Sequence, residues 1–278
     1  VCYDSIFQEE GVYFMDFINA VILGVVEGVT EFLPISSTGH LILVEDYLPL
    51  GSSKTFADAF MVIIQLPAIL AVVLYFWGRL WPFGKDKNPA STIRLWFLIV
   101  AAFLPAAVLG FLLDKTIEKY LFTPPVVAGA LIVGGIVLIA LERIGLKHRF
   151  EKVDDFKFGP AIAVGFFQCL AMIPGTSRSA ATIIGGMAMG AARPAAAEFS
   201  FFLAIPTMLG ATALKVLKHG LHFSGHEWAL LGVGSVVSFL VAYAVIAAFM
   251  RYIQTRSFIP FGWYRIVLGI IVIIAIFA

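Results

Sequence analysis

The sequence predicts an all-α polytopic membrane protein: six transmembrane helices plus two re-entrant helix-loop-helix elements, arranged as an inverted-topology repeat. Three observations predict it. Of the 278 residues, 60% are hydrophobic and 13% charged, with a mean hydropathy of +0.96, whereas soluble domains run at roughly 45–50% apolar and about 25% charged. Six apolar runs are long enough to cross a bilayer, and two more are interrupted midway by Pro, Gly and Ser. The two halves of the chain also resemble each other.

Residues 1–14 read less regularly than the pattern that opens at Met15-Asp16-Phe17 and are expected to be a leader outside the repeats. No cleavable signal peptide is expected, because the first apolar run leads straight into polar motif residues. The first repeat is assigned to residues 15–142. It opens with the broken region 17–50, cut by Pro34-Ile35-Ser36-Ser37-Thr38-Gly39. Each piece is too short to cross a bilayer core that takes about 20 apolar residues per helix. Proline stops one helix and the Gly/Ser stretch restarts another, so the chain is expected to enter the membrane, turn at mid-depth and leave. Spans follow at 56–81, 95–113 and 123–141. After a charged linker, 143–158, the second repeat, 159–278, starts with the broken region 159–190, cut by Pro174-Gly175-Thr176-Ser177-Arg178-Ser179. It continues with spans at 199–217, 228–250 and 258–278.

Gly24-Val25-Val26-Glu27 aligns with Gly165-Phe166-Phe167-Gln168, Pro34 with Pro174, Phe60 and Pro67 with Phe199 and Pro206, and Leu131-Ile132-Val133-Gly134 with Ile266-Val267-Leu268-Gly269, at an offset near 140 residues. Three spans per copy is an odd number, so the second copy must sit upside down, with the two breaks meeting near the midplane. Loop charges set the orientation. Arg79, Lys85, Lys87, Arg94, Arg143, Lys147, Arg149, Lys152, Lys157, Arg193, Arg251 and Arg256 fall on one face, against Lys54, Lys115, Lys119, Lys215 and Lys218 on the other. The richer face should be cytoplasmic, which puts both termini and the mouth of the first break outside.

Composition also excludes. A net charge of +1 without a basic block removes nucleic acid as a partner. Cys2 and Cys169 lie far apart, so neither a disulfide framework nor a thiolate metal cluster is expected.

The first break carries Glu27 and Glu31 at i, i+4, stacked on one helix face, followed closely by Ser36, Ser37, Thr38 and His40. An intramembrane charge costs ~2.5–3.5 kcal/mol on insertion scales, so two adjacent acids need a cation, a shared proton or a water-filled cavity, unless they lie at the interface. The second break supplies Arg178, the only basic residue this reading places near mid-membrane, among Ser177, Ser179 and Thr182. Arginine grips phosphate oxygens bidentately, and the half-helix N-termini after Ser36-Ser37 and Ser177 direct free N–H groups and positive dipole ends at one spot. That combination is an anion site suited to a phosphate or diphosphate, with the Ser36, Thr38, Ser177, Ser179 and Thr182 hydroxyls as candidate contacts. The competing role for Arg178 is a salt bridge to Glu27 or Glu31, and the two roles can coexist.

Two carboxylates and a diphosphate exceed the charge of one arginine, so a hard divalent cation, Mg²⁺ or Ca²⁺, is expected on Glu27 and Glu31. Ser37 or Ser36 can attack with Glu31 or His40 taking the proton, and a water activated by Glu31 fits the same residues. His219, His222 and His226 are read as solvated loop residues, and Gln65 and Gln168 as interhelical hydrogen bonders more than substrate contacts.

The motifs Glu27-Gly28-Val29-Thr30-Glu31, Pro34-Ile35-Ser36-Ser37-Thr38-Gly39-His40 and Pro174-Gly175-Thr176-Ser177-Arg178-Ser179-Ala180-Ala181-Thr182 closely resemble bacterial undecaprenyl-diphosphate phosphatases of the bacitracin-resistance type. The resemblance covers nearly the whole chain from Met15 onward. It implies an inner-membrane hydrolase that removes the terminal phosphate of undecaprenyl diphosphate, uses a divalent cation, opens to the periplasm and confers bacitracin resistance. By similarity Glu27 and Glu31 are the glutamates, Ser37 the nucleophile, His40 the histidine, and Ser177 and Arg178 the phosphate-binding pair. Its partners are then the lipid substrate and membrane lipids, with a homodimer left open. The residues alone leave one rival, an inverted-repeat transporter or flippase for an anionic polyprenyl phosphate lipid.

Overall fold

The computed structural model describes residues 2–44, 47–50, 53–83, 89–219 and 222–277. Twelve α-helices run along them: α1 Cys2–Thr30, α2 Ser37–Val44, α3 Lys54–Ile63, α4 Gln65–Tyr75, α5 Trp77–Leu80, α6 Pro89–Leu121, α7 Pro124–Ile144, α8 Phe158–Cys169, α9 Arg178–Ala188, α10 Arg193–His219, α11 Gly225–Tyr252 and α12 Ile259–Phe277. Among the described residues the one β contact is an isolated bridge, Phe150 to Ala191. Among the described residues six stretches are long and apolar enough to cross a membrane: Lys54–Tyr75, Pro89–Leu113, Pro124–Ile144, Arg193–Leu217, Gly225–Tyr252 and Ile259–Ile276. The chain is a multi-pass membrane protein.

Three details depart from the sequence reading. Helix α1 extends back through residues 2–14, where a less regular leader is expected. The first span is not continuous but is divided at Ile64 and Phe76. Pro67 accounts for the first division, since its ring collides with the carbonyl of Ile63 and it has no N–H to return. His226, expected in solvent, pairs with Asp16 at 3.0 Å, joining α11 to α1. Lys85 and Lys87, counted toward the basic face, lie outside the described residues.

Local sequence explains where the helices start and stop. Pro124 opens α7 in its first turn, and Gly145, at φ 63°, ends it in the left-handed region where only glycine is unstrained. Ser224 and Glu227 cap α11 reciprocally. At one end of the bundle Arg79 bridges Asp154 and Glu198, Arg94 donates to the carbonyls of Asp154 and Phe156, and Arg193 grips Glu142. These arginines belong to the face read as rich in positive charge.

The packing exchanges partners between the halves. Helix α1 packs on α11 while α8 packs on α6; α2 touches α12 and α9 touches α7; α7 and α12 pack on each other. Glycines allow the closest approaches. A Cβ on Gly28 would lie 2.8 Å from the carbonyl oxygen of Ser238, and one on Gly165 would lie 2.2 Å from that of Ala102. Gly165→Ala is therefore expected to lower stability by ~1–3 kcal/mol through overpacking. Gly159→Ala on the same helix, where nothing lies within 4 Å, should leave the melting temperature in detergent unchanged.

Candidate active site

The two breaks touch. Ser36 and Ser177, the residues that precede α2 and α9, adopt φ of 72° and 70°, the left-handed region that non-glycine residues seldom occupy. Each turns its hydroxyl onto the new helix: Gly39 N–H donates to Ser36 Oγ at 3.3 Å and Ala180 N–H to Ser177 Oγ at 3.2 Å. Ser179 Oγ–H crosses from the second break to the Leu33 carbonyl of the first at 2.8 Å. These matching turns leave the side chains between them in fixed positions.

Glu31 is the hub. Its Oε2 accepts from Ser37 Oγ–H at 2.9 Å, and its Oε1 faces Arg178 Nη2 at 3.4 Å. Arg178 also donates from Nη1 to the Ser200 carbonyl at 3.0 Å, lies over the Phe32 ring and keeps a buried, unpartnered Nε. Of the two roles weighed for Arg178 the salt bridge to Glu31 is present, and the same side chain lines a cavity of about 620 Å³. The polar wall of that cavity includes Glu31, Ser36, Ser37, Thr38, Ser177 and Arg178. Much of the rest is apolar, with Phe103, Ala107 and Phe111 from α6 and Met208, Ala211 and Leu214 from α10.

Other candidates fall elsewhere. His40 is not among the lining residues: its Nδ1 lies 2.7 Å from the Ser36 carbonyl and its Nε2 2.6 Å from the Tyr264 hydroxyl. Ser179 and Thr182, taken as substrate contacts from sequence, are fully buried and outside the wall. Their hydroxyls are spent on structure, Ser179 on Leu33 and Thr182 on the Arg178 carbonyl and Ser200 Oγ. Glu27 is fully buried behind Glu31, and neither of its carboxylate oxygens has a hydrogen-bond partner. A buried carboxyl group with neither oxygen hydrogen-bonded, one helical turn from a second carboxyl, is a donor set that fits a hard cation. Among the described residues no group of three His, Cys, Asp or Glu side chains forms a metal cluster.

Two features escape the sequence reading. Gln65 and Gln168, demoted there, both line the cavity, and Thr207 donates to Gln168 Oε1 at 3.2 Å. Arg178 is also not the only cation at the breaks, since Arg265 in α12 is fully buried against them. The sequence does carry a signal for it: a single cation well inside an apolar span, about 10 Å along the helix, is a functional flag by default.

The model of the family described as "Bacitracin resistance protein BacA" matches residues 20–271. Among its relatives, the chain is 50% identical over 262 residues to undecaprenyl-diphosphatase 1 of Clostridioides difficile, covering 93% of this chain and 96% of that one. It is 52% identical over 268 residues to the undecaprenyl-diphosphatase of Fusobacterium nucleatum, covering 92% and 99%, and 46% identical over 268 residues to that of Enterococcus faecalis, covering 94% and 97%.

Proposed function

The chain belongs to the bacitracin resistance protein BacA family, and on that premise we propose how its own residues perform the family reaction. It is an undecaprenyl-diphosphatase, hydrolysing undecaprenyl diphosphate to undecaprenyl phosphate and inorganic phosphate. That reaction returns the lipid carrier to cell-wall synthesis and underlies bacitracin resistance.

The observation that carries the mechanism is the Ser37–Glu31–Arg178 chain. Ser37 Oγ–H already points at Glu31 Oε2, the arrangement of a nucleophile with its base. Ser37 Oγ bonds to the terminal phosphorus while the anhydride P–O bond breaks, and the Ser37 proton passes to Glu31. Undecaprenyl phosphate leaves with the electron pair. Because a phosphate monoester has a second pKa near ~6, it leaves as an anion without needing an acid. His40, held by Ser36 and Tyr264, accordingly acts by fixing the turn that aims Ser37. Water then attacks the phosphoserine and passes one proton to a phosphoryl oxygen, the P–Oγ bond breaks, and Glu31 returns its proton to Ser37, so that inorganic phosphate leaves as H2PO4−. Arg178 and Ser177 receive the charge that builds on the phosphoryl oxygens, while the apolar wall from α6 and α10 takes the start of the isoprenoid chain.

Glu27 and Glu31 would hold a Mg²⁺ or Ca²⁺ ion, which when bound offsets the diphosphate charge and polarises its P–O bonds. Chelation is expected to lower turnover, and Glu27→Gln to raise the half-saturating cation concentration about tenfold or more. Full activity after exhaustive chelation would remove the cation from the account.

The site is read as opening to the periplasm of an inner-membrane enzyme, with both termini outside and the halves inverted. The direct test is phosphate release from undecaprenyl diphosphate in detergent, where vectorial transport cannot register. Rapid quench with label in the terminal phosphate should trap it on Ser37. An active enzyme with no label at that position would transfer the attack to water.

A further inference from the structure

Arg265 is the largest fully buried side chain among the described residues, and all its hydrogen bonds there go to carbonyls. Nε donates to Leu131 O at 3.4 Å and Nη2 to Ala130 O at 3.1 Å, both on α7. Nη1 donates to Pro34 O of the first break at 3.3 Å, and Nη2 also donates to Gly175 O of the second at 3.2 Å. A guanidinium satisfied only by carbonyls is an expensive thing to bury in a bilayer, so helix packing does not account for it. The sequence has made room for it: a Cβ on Gly134 would lie 2.2 Å from Nη2 and 2.9 Å from Cζ. Arg265 therefore passes from α12 through a gap in α7 to reach both breaks at once.

We propose that Arg265 is a positioning residue for the hydrolysis, a fork that fixes the first break, with Glu31 and Ser37, against the second, with Ser177 and Arg178. It rests on the phosphatase reading given above. A planar fork holds two carbonyls at a set separation, which a lysine ammonium on a flexible stem does not. Because nucleophile and phosphate grip sit on different breaks, a shift of about 1 Å between them costs on the order of a hundredfold in rate. It touches no lining residue's reacting atom and is not itself a catalytic residue.

The test compares Gly134→Ala, Arg265→Lys and Gly129→Ala, all purified in detergent and scored as kcat and KM per folded molecule. Gly134→Ala keeps every charge and displaces only the far end of the arginine, so α7 should still fold. Its kcat is expected to fall at least tenfold with KM within about threefold, and Arg265→Lys should behave alike. Gly129→Ala, on the same helix with nothing within 4 Å, should match wild type. If Gly134→Ala and Arg265→Lys lose folded yield but keep kcat within about twofold, Arg265 is merely structural and the proposal is overturned. The wild-type rate in the same assay reports separately on the phosphatase reading.

Discussion

Arg178→Ala is expected to cut phosphate release by at least about a hundredfold while the protein remains folded. Among the described residues Arg178 is the one guanidinium in the cavity wall, and the phosphoryl oxygens gain charge as the anhydride bond breaks, so its contribution grows toward the transition state. Removing a preorganised charge donor from a dry site typically costs about 10²–10³ in kcat. Arg178→Lys should recover little, because the present geometry spends separate nitrogens on the Ser200 carbonyl and on Glu31. Because Arg178→Ala leaves Glu31 without its cation, the melting temperature in detergent should be measured beside the rate. A folded Arg178→Ala enzyme within about tenfold of wild type would remove this side chain from the chemistry.

Glu31→Gln carries the second large effect. The amide matches the carboxylate in shape and can still accept from Ser37, but it cannot take a proton from it. Loss of a general base typically costs about 10²–10⁴. The same substitution removes one wall of the cation site, so the defect should persist at saturating Mg²⁺ or Ca²⁺ and label should no longer accumulate on Ser37. Rescue of Glu31→Gln to near wild-type rates by added cation would instead make Glu31 a ligand only, and the base would have to be sought elsewhere.

Much of this architecture is legible in the chain because bilayer physics leaves few choices: apolar length sets the spans, and Pro34 and Pro174 followed by Ser-rich turns set the breaks. What the sequence hides is which face of an apolar helix meets another helix. Arg265 sits in a run where every neighbour is hydrophobic or aromatic, so no periodicity separates a lipid-facing position from one threaded past Gly134. The pairing of His226 with Asp16 spans 210 residues and is likewise invisible to local pattern. Ser179 and Thr182 pose a related ambiguity. A hydroxyl near a phosphate-binding turn has the same letter whether it faces the ligand or caps a carbonyl, and only the contact with Leu33 and Ser200 tells them apart. The division of the first span at Ile64 follows from Pro67, but a proline in an apolar run can be absorbed, as Pro206 is within α10, so its effect depends on the neighbours.

The decisive measurement is an experimental structure with a non-hydrolysable polyprenyl methylene-bisphosphonate bound. The terminal phosphorus should lie about 3–3.5 Å from Ser37 Oγ, in line with the bridging carbon, with its oxygens on Arg178 and its isoprenoid chain against Phe103 and Met208. A headgroup seated away from the contact between the two breaks, or Ser37 and Arg178 turned to different surfaces around it, would contradict the account.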